Sequence, residues 1–353
     1  MVGIGLMSGT SLDGLDVALV DFPEANPAAF SLLKAQTFSY PPELSRRLAH
    51  SPQLQAADLA DLDMELGNFM GKCVKKLPLA ALPQVDFIAS HGHTVVHHPE
   101  KGFSLQIGNP NALAAQTQLL VVADFRNLDI QMGGQGAPLV PAADAQLFHR
   151  YTYCLNLGGI ANISMEKKGK RMGMDLSICN LALNFLAQKM GKAYDDQGKI
   201  AASGKIQPEL LDALNNSPYL PQKLAAFSLD KDASLKAVVP LLNAYDAPDA
   251  AHTLCHHIAE QIAKYATPDP KAALLITGGG AYHRFLVDCI RRKTAPLQVH
   301  LPDADTIDFK EAIVFAWLGM RRLLGKDNVL QSVTGAKANS CTGGVYGGHF
   351  SKF

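Results

Sequence analysis

Residues 5–16, Gly-Leu-Met-Ser-Gly-Thr-Ser-Leu-Asp-Gly-Leu-Asp, constrain this chain more than any other stretch. Apolar Val2, Ile4 and Leu6 precede the turn, and Leu15-Asp-Val-Ala-Leu-Val-Asp21 follows it with the alternation of a strand. Strand, Gly/Ser/Thr turn, strand reads as a β-hairpin whose tip offers backbone N–H groups and hydroxyls to an anion. Gly9 and Gly14 let a backbone approach phosphate oxygens with no side chain in the way. Asp13 and Asp16 would repel bare phosphate, so they call for a divalent cation or its water shell alongside. An ordinary Gly-Asp hairpin has the same spacing, and both readings stand at this level. The Walker loop is excluded, because no Gly-Lys-Ser/Thr follows and no helix begins there.

At 353 residues the chain exceeds the size at which a single core stops growing, roughly 250–300 residues, so two domains are expected. Charged residues are sparse at 18%, and 32 basic side chains balance 32 acidic ones with no long like-charge run. Nothing there builds a field that would gather nucleic acid or an acidic membrane, so neither partner is expected. The six cysteines include no Cys-x-x-Cys pair, which in a chain this size points to free thiols in a reducing compartment. The first residues lack a basic stretch and carry acid by Asp13, unlike a signal peptide. No apolar run reaches the roughly 18 residues of a membrane span, and a cytoplasmic location is the expectation.

Leu59, Leu62, Leu66, Phe69, Met70, Cys73 and Leu77 recur at helical spacing and predict an amphipathic helix over 57–78. Short apolar runs at 85–90 and 119–123 read as buried strands, and the Gly/Pro cluster at 131–141 as the approach to a domain junction. Residues 151–165 then repeat the opening theme, with β-rich ends around Gly158 and Gly159. A hairpin of this kind at the start of each half predicts two related domains. A helix over 249–266 carries Leu254, Ile258, Ile262 and Tyr265 down one face. Residues 271–277 form a strand that enters Gly278, Gly279 and Gly280 before another helix. Such a strand, triple glycine and helix can seat a nucleotide, though glycines also serve packing there. A last helix runs from Phe309 to about Leu324, with Glu311 in its first turn.

These segments together resemble the anhydro-N-acetylmuramic acid kinases, within the superfamily of sugar kinases, heat-shock chaperones and actin. The resemblance rests on residues 5–14, Gln106-Ile-Gly-Asn109, Val122-Ala-Asp-Phe-Arg126 and Gly133-Gly-Gln-Gly-Ala-Pro-Leu-Val-Pro141. It extends through Asn156-Leu-Gly-Gly-Ile-Ala-Asn-Ile-Ser164, Thr277-Gly-Gly-Gly-Ala281, Lys310-Glu-Ala312 and Ser332-Val-Thr-Gly-Ala336, in the family's order. It implies an α/β fold of two actin-like, ribonuclease H-like domains, each a mixed five-stranded sheet flanked by helices, closing on ATP and Mg²⁺ in a cleft. The expected boundaries are 1–140 with 340–353 for the N-terminal domain and 141–339 for the C-terminal one. The implied reaction is attack of water on the 1,6-anhydro ring of anhydro-N-acetylmuramic acid with phosphorylation of the freed O6 by ATP. Its product is N-acetylmuramic acid 6-phosphate, in recycling of peptidoglycan. A homodimer is implied.

The same resemblance assigns ATP binding to Gly9, Thr10, Ser11, Leu12, Asp13, Gly14, Leu15 and Asp16, with Gly158, Gly159, Gly278, Gly279 and Gly280 as the second phosphate loop and adenosine loop. Magnesium falls to Asp13 and Asp16. Asp175 takes the role of base for the attacking water, and Arg126 and Glu311 that of sugar contacts. Without the family, those three would read as a loop acid, a junction salt bridge and a first-turn acid on a helix dipole. His91 and His93 suit a supporting role beneath the site, while His252, Cys255, His256 and His257 on one helix suit a structural role better than a metal site.

Two segments depart from the family. Asp175-Leu-Ser-Ile-Cys-Asn180 stands where Asp-Thr-Gly-Pro-Gly-Asn is common, and Lys223-Leu-Ala-Ala-Phe-Ser-Leu-Asp-Lys-Asp232 replaces Lys-Ser-x-Gly-x-Glu. They keep two alternatives open: a related amino-sugar kinase of altered specificity, and a non-catalytic nucleotide-gated binding protein.

Overall fold

The computed structural model describes the chain except residues 10–11, 27, 78–83, 218–219, 221–228 and 348–353. Thr10, Ser11 and most of the departing segment at 223–232 therefore lie outside the described residues. The chain divides into two compact units, Met1–Leu147 with Phe309–Phe353, and Phe148–Asp308. These boundaries fall after Leu147 and Asp308, where the sequence placed them near 140 and 339.

In the first unit the strands are β1 (Val2–Ser8), β2 (Leu15–Asp21), β3 (Ser31–Phe38), β4 (Phe87–His98), β5 (Phe103–Ile107), β6 (Leu120–Ala123) and, from the chain's end, β12 (Gly344–Tyr346). Its first helices are α1 (Pro42–Ala49), α2 (Ala56–Lys75), α3 (Pro110–Thr117), α4 (Asn127–Gln131) and α5 (Val140–Leu147). The Gly/Pro cluster at 131–141 thus leads into α5, still within this unit. The stripe on α2 behaves as its spacing predicts: Leu62, Leu66, Met70 and Cys73 are buried.

The second unit holds β7 (Tyr153–Leu157), β8 (Ile160–Lys167), β9 (Lys170–Ile178), β10 (Ala273–Thr277) and β11 (Gln298–His300). Its helices are α6 (Asn180–Lys189), α7 (Lys199–Ser203), α8 (Pro208–Asn215), α9 (Lys231–Asn243), α10 (Ala247–Ala263) and α11 (Arg284–Thr294). Then α12 (Ala304–Leu323) returns the chain to the first unit, where α13 (Gln331–Thr334) precedes β12.

Both sheets are mixed and share a topology. The first runs β3-β2-β1-β4-β6-β12, and the second β9-β8-β7-β10-β11. In each, three antiparallel strands open the unit and the first strand then pairs in parallel with a later one. Among the described residues, the second sheet has the expected five strands. The first has seven, because β12 joins its edge and β5 folds back on β4.

Two elements differ from the sequence reading in ways that bear on function. The strand expected to end at Ser90 runs on to His98, carrying His91 and His93 inside the sheet. The last helix begins at Ala304 rather than Phe309, because the Asp303 carboxylate accepts the Thr306 N–H at 2.8 Å and starts the helix early. Glu311 consequently sits about two turns in, and the first-turn reading of that residue is corrected. This helix lies hard on β1: a Cβ on Gly5 would come within 1.7 Å of the Ala312 carbonyl oxygen, so only glycine permits the approach. Among the described residues no helix is long and apolar enough to cross a membrane.

Candidate active site

In the first unit the β1–β2 pairing closes at Ser8 opposite Leu15, and Gly9 and residues 12–14 are the described residues of the tip between them. The Leu12 N–H donates to the Gly9 carbonyl at 3.3 Å, with Leu12 at φ 60°. Asp13 is exposed, while Asp16 is half-buried and accepts the Thr37 hydroxyl at 2.6 Å. Gly14 packs against the Phe38 carbonyl and Thr37, leaving no room for a side chain. Two carboxylates at a glycine-rich tip fit a hard cation that keeps most of its water and takes its remaining ligands from phosphate oxygens. Among the described residues no three His, Cys, Asp or Glu side chains converge on a metal position, so they build no all-protein cage.

Beneath the tip lies a buried side-chain chain. The Tyr40 hydroxyl donates to Ser8 Oγ at 2.7 Å, and Ser8 Oγ lies 3.0 Å from His93 Nδ1. Burial pushes the His93 imidazole down to about 4 and the Tyr40 phenol up, so both are neutral near pH 7.

Arg126 sits at the start of α4. Its Nη1 donates to the Gly136 carbonyl at 2.7 Å, and Nη2 and Nε reach His91 Nε2 at 2.8 and 3.3 Å. A guanidinium only donates, so His91 Nε2 is unprotonated and its Nδ1–H donates to the Gly92 carbonyl at 2.9 Å. Burial, then the Arg126 charge, holds His91 well below the usual histidine range. Burial lowers Arg126 to about 10, and the Glu311 carboxylate offsets part of that. One turn beyond Glu311, Phe315 packs on the His91 ring with centroids 4.7 Å apart. A buried ion pair, Lys310 to Asp144 at 2.8 Å, ties α12 to α5 next to Glu311.

The Gly133–Gly136 loop is latched by Asp129. Its carboxylate accepts the Gly136 N–H at 2.8 Å and the Thr334 hydroxyl at 2.7 Å, so two motifs far apart in the chain meet here. A cavity of about 460 Å³ nearby is lined by Ser90, His91, Gly92, Gln106, Gly108 and Asp124 among others. Its walls are braced internally, with Gln106 donating to Thr94 and Ser104, and Asp63 accepting from Gly108 and Asn109.

In the second unit three separate segments converge. The Cys179, Asn180 and Leu181 N–H groups donate to the carbonyls of Gly159, Gly158 and Gly159 at 2.9, 3.1 and 3.3 Å. Asn180 Nδ2 donates to the Leu157 carbonyl at 3.0 Å. Gly278, at φ 80°, lies so close that a Cβ would stand 2.5 Å from Asn156 Oδ1. The Gly158–Gly159 turn, the start of α6 and the Gly278–Gly280 turn therefore form one glycine-lined edge. Asp175 lies on β9 opposite Asn162 and is half-buried; its Oδ2 accepts the Leu229 N–H at 2.8 Å.

The altered 175–180 segment stays extended through Ile178, and none of its residues has positive φ, so its lost glycines are not needed in this conformation. Cys179 is fully buried, and burial raises its thiol to about 12. On α10, His252 Nδ1 bonds the Ala201 carbonyl at 2.9 Å and its ring stacks on His256. His257 faces Asn215 Oδ1 at 2.8 Å. Those contacts are structural.

Sequence reasoning missed a buried pair in this unit. His283 Nε2 lies 3.2 Å from Asp195, whose carboxylate also accepts the Ile200 and Ala201 N–H groups at 2.7 and 2.9 Å. Burial raises the Asp195 carboxyl, but the His283 and backbone hydrogen bonds outweigh it and hold it below the usual range. His283 Nδ1 accepts the Leu286 N–H, capping α11 just beyond the triple glycine. The only available signal was an unremarkable Asp and His near glycines.

A chain from Shewanella denitrificans named anhydro-N-acetylmuramic acid kinase is 37% identical over 366 residues, covering 97% of each chain. Its namesake from Shewanella oneidensis is 37% identical over 371 residues, covering 97% of this chain and 98% of that one. Among solved structures, a ROK family glucokinase from Streptomyces griseus is similar at 14% identity and a TM-score of 0.43, covering 90% of this chain and 98% of that one. The family model for anhydro-N-acetylmuramic acid kinase matches residues 1–348, and the chain belongs to that family.

Proposed function

We propose that this protein is an ATP-dependent kinase that opens the 1,6-anhydro ring of anhydro-N-acetylmuramic acid with water and phosphorylates O6, in peptidoglycan recycling. The family match across residues 1–348 carries this reading. Water oxygen attacks the anomeric carbon and the C1–O6 bond breaks. The electron pair left on O6 attacks the γ-phosphorus of ATP, and ADP departs. Asp175 accepts the proton lost by water, which then passes to solvent; the Leu229 N–H fixes one of its oxygens for that task. Arg126, held by His91 and Gly136, and Glu311 bind the sugar.

Phosphoryl transfer is mostly positioning and charge neutralisation. The tip at Gly9–Asp16 holds the phosphates, and the Gly158–Gly159 and Gly278–Gly280 turns hold the rest of the nucleotide. Asp13 and Asp16 would hold Mg²⁺, which supplies charge neutralisation at the transferred phosphoryl group when bound. The protein acts as a homodimer in the cytoplasm on this reading, with two actin-like domains corresponding to the compact units.

Incubation with ATP, Mg²⁺ and the anhydro sugar, followed by mass spectrometry, tests it. A ring-opened sugar phosphate is expected. Product only from N-acetylmuramic acid or N-acetylglucosamine would replace the reading with a kinase of altered specificity, the alternative that the departures at 175–180 and 223–232 keep open. Tight ATP binding with no sugar product would replace it with a nucleotide-gated binding protein.

A further inference from the structure

His91-Gly92-His93 lies at an irregularity in the sheet. Between Leu6 opposite Ser90 and Ser8 opposite His93, β4 carries one residue more than β1. Gly92 takes up the excess at φ 74°, and a Cβ there would stand 2.5 Å from the Ile107 carbonyl oxygen. Bulges of this kind re-aim side chains and recur beside functional sites. Here the two imidazoles serve different partners. His91 Nε2 receives two N–H groups of Arg126, while His93 Nδ1 lies 3.0 Å from Ser8 Oγ, one residue before the tip. Both rings are buried, at 6% and 3% exposure; His91 reaches the wall of the cavity described above, but its Nε2 is already taken by Arg126.

We propose that this bulge is a positioning element with two separable arms: His91 aims Arg126 at the sugar, and His93, through Ser8 and Tyr40, sets the phosphate-binding tip. The inference rests on the roles proposed above for Arg126 and the tip. Of the five guanidinium N–H groups, those given to His91 and Gly136 fix the plane of the fork and leave the others to be directed at a ligand. Neutral His91 accepts without adding a second positive charge beside Arg126. The Tyr40 hydroxyl closes the other arm by donating to the same Ser8 oxygen that meets His93.

Steady-state kinetics on full-length variants, with circular dichroism to confirm folding, separate the arms. Loss of a hydrogen bond to a charged group predicts that His91→Phe raises KM for the anhydro sugar about tenfold or more, leaving KM for ATP within about twofold. His91→Gln, whose Oε1 can stand in for Nε2, should restore it. His93→Phe should do the reverse, raising KM for ATP alone, with rescue by His93→Asn. Equal changes in both KM values, or no rescue by either conservative variant, would overturn the proposal.

Should a Phe variant not fold, ¹⁵N NMR of the wild-type imidazoles decides the His91 arm. A neutral Nδ1–H ring at pH 7 is expected, and an Nε2–H ring would overturn it. If the wild type makes no product, the proposed activity fails separately. Calorimetric titration of the His93 pair with an unhydrolysable ATP analogue still reads the second arm: weaker binding by His93→Phe with recovery in His93→Asn supports it, and unchanged affinity overturns it.

Discussion

The two hairpins that open the two units occupy equivalent places in equivalent sheets, yet their tips are built differently. In the first, residues 9–14 separate Ser8 from Leu15, and the tip carries acids and rests on a buried Tyr40–Ser8–His93 chain. In the second, Gly158 and Gly159 alone separate Leu157 from Ile160, and backbone donors from Cys179, Asn180 and Leu181 brace them. The first is held from below by side chains and presents the Asp13 carboxylate, with Asp16 close by on β2. The second is a backbone seat, fixed by the chain that also carries Asp175. On the function proposed above, charge on the substrate phosphates would be met in the first unit, and the proton of water in the second.

The largest test of that division is Asp175→Asn. It should lower kcat by about 10²–10⁴-fold while ATP still binds, because a positioned base contributes about that much. A loss of nucleotide affinity with kcat unchanged would move Asp175 out of its assigned role. Next in size, Gly278→Ala forces a side chain into the left-handed region and against Asn156 Oδ1. Backbone strain of about 1–3 kcal/mol at this positive-φ, extended-ψ position, plus that contact, should lower the unfolding temperature by several degrees and weaken ATP binding by about tenfold. Unchanged melting and affinity would show that the second seat is not rigid.

Acid should reach the first unit's supports as well. His93, lowered from 6.5 to about 4, is neutral in the folded state while the unfolded chain protonates near 6.5. The unfolded state thus binds more protons between those values, and stability is fully present above 6.5 and lost as pH falls toward 4. His257, lowered to about 3 by burial, adds to the loss in the second unit and extends it. Thermal melts from pH 7 to 4 check the direction, and a His93→Asn variant should show a shallower slope. A slope unchanged by that variant would remove His93 from the account. The smallest effect concerns thiols: a disulfide reagent at pH 8 should label half-buried Cys341 before fully buried Cys179, and the reverse order would mean the 175–180 segment opens.

Much of the architecture was legible because it follows periodicity. The hairpins, α2, α10 and the strand before Gly278 appear where alternation or helical spacing puts them. The proposed site residues rest on motifs alone, since Asp175 and Arg126 have nothing in their sequence neighbourhoods that separates them from loop acids and surface arginines. What escaped was pairing across the sequence. The Asp129–Thr334 hydrogen bond joins residues 205 positions apart, and Asp195–His283 similarly depends on the tertiary fold. The extension of β4 escaped for a local reason: a bulge at Gly92 breaks the alternation by which strands are read.

The central claim is that this chain delivers water to the sugar and phosphate to O6 in one reaction. Running it in ¹⁸O-labelled water, with mass spectrometry within minutes, tests both halves together. The account predicts one heavy oxygen on the anomeric carbon of the sugar phosphate and none in its phosphoryl group. Heavy oxygen in free inorganic phosphate, with the sugar unlabelled and unopened, would contradict it.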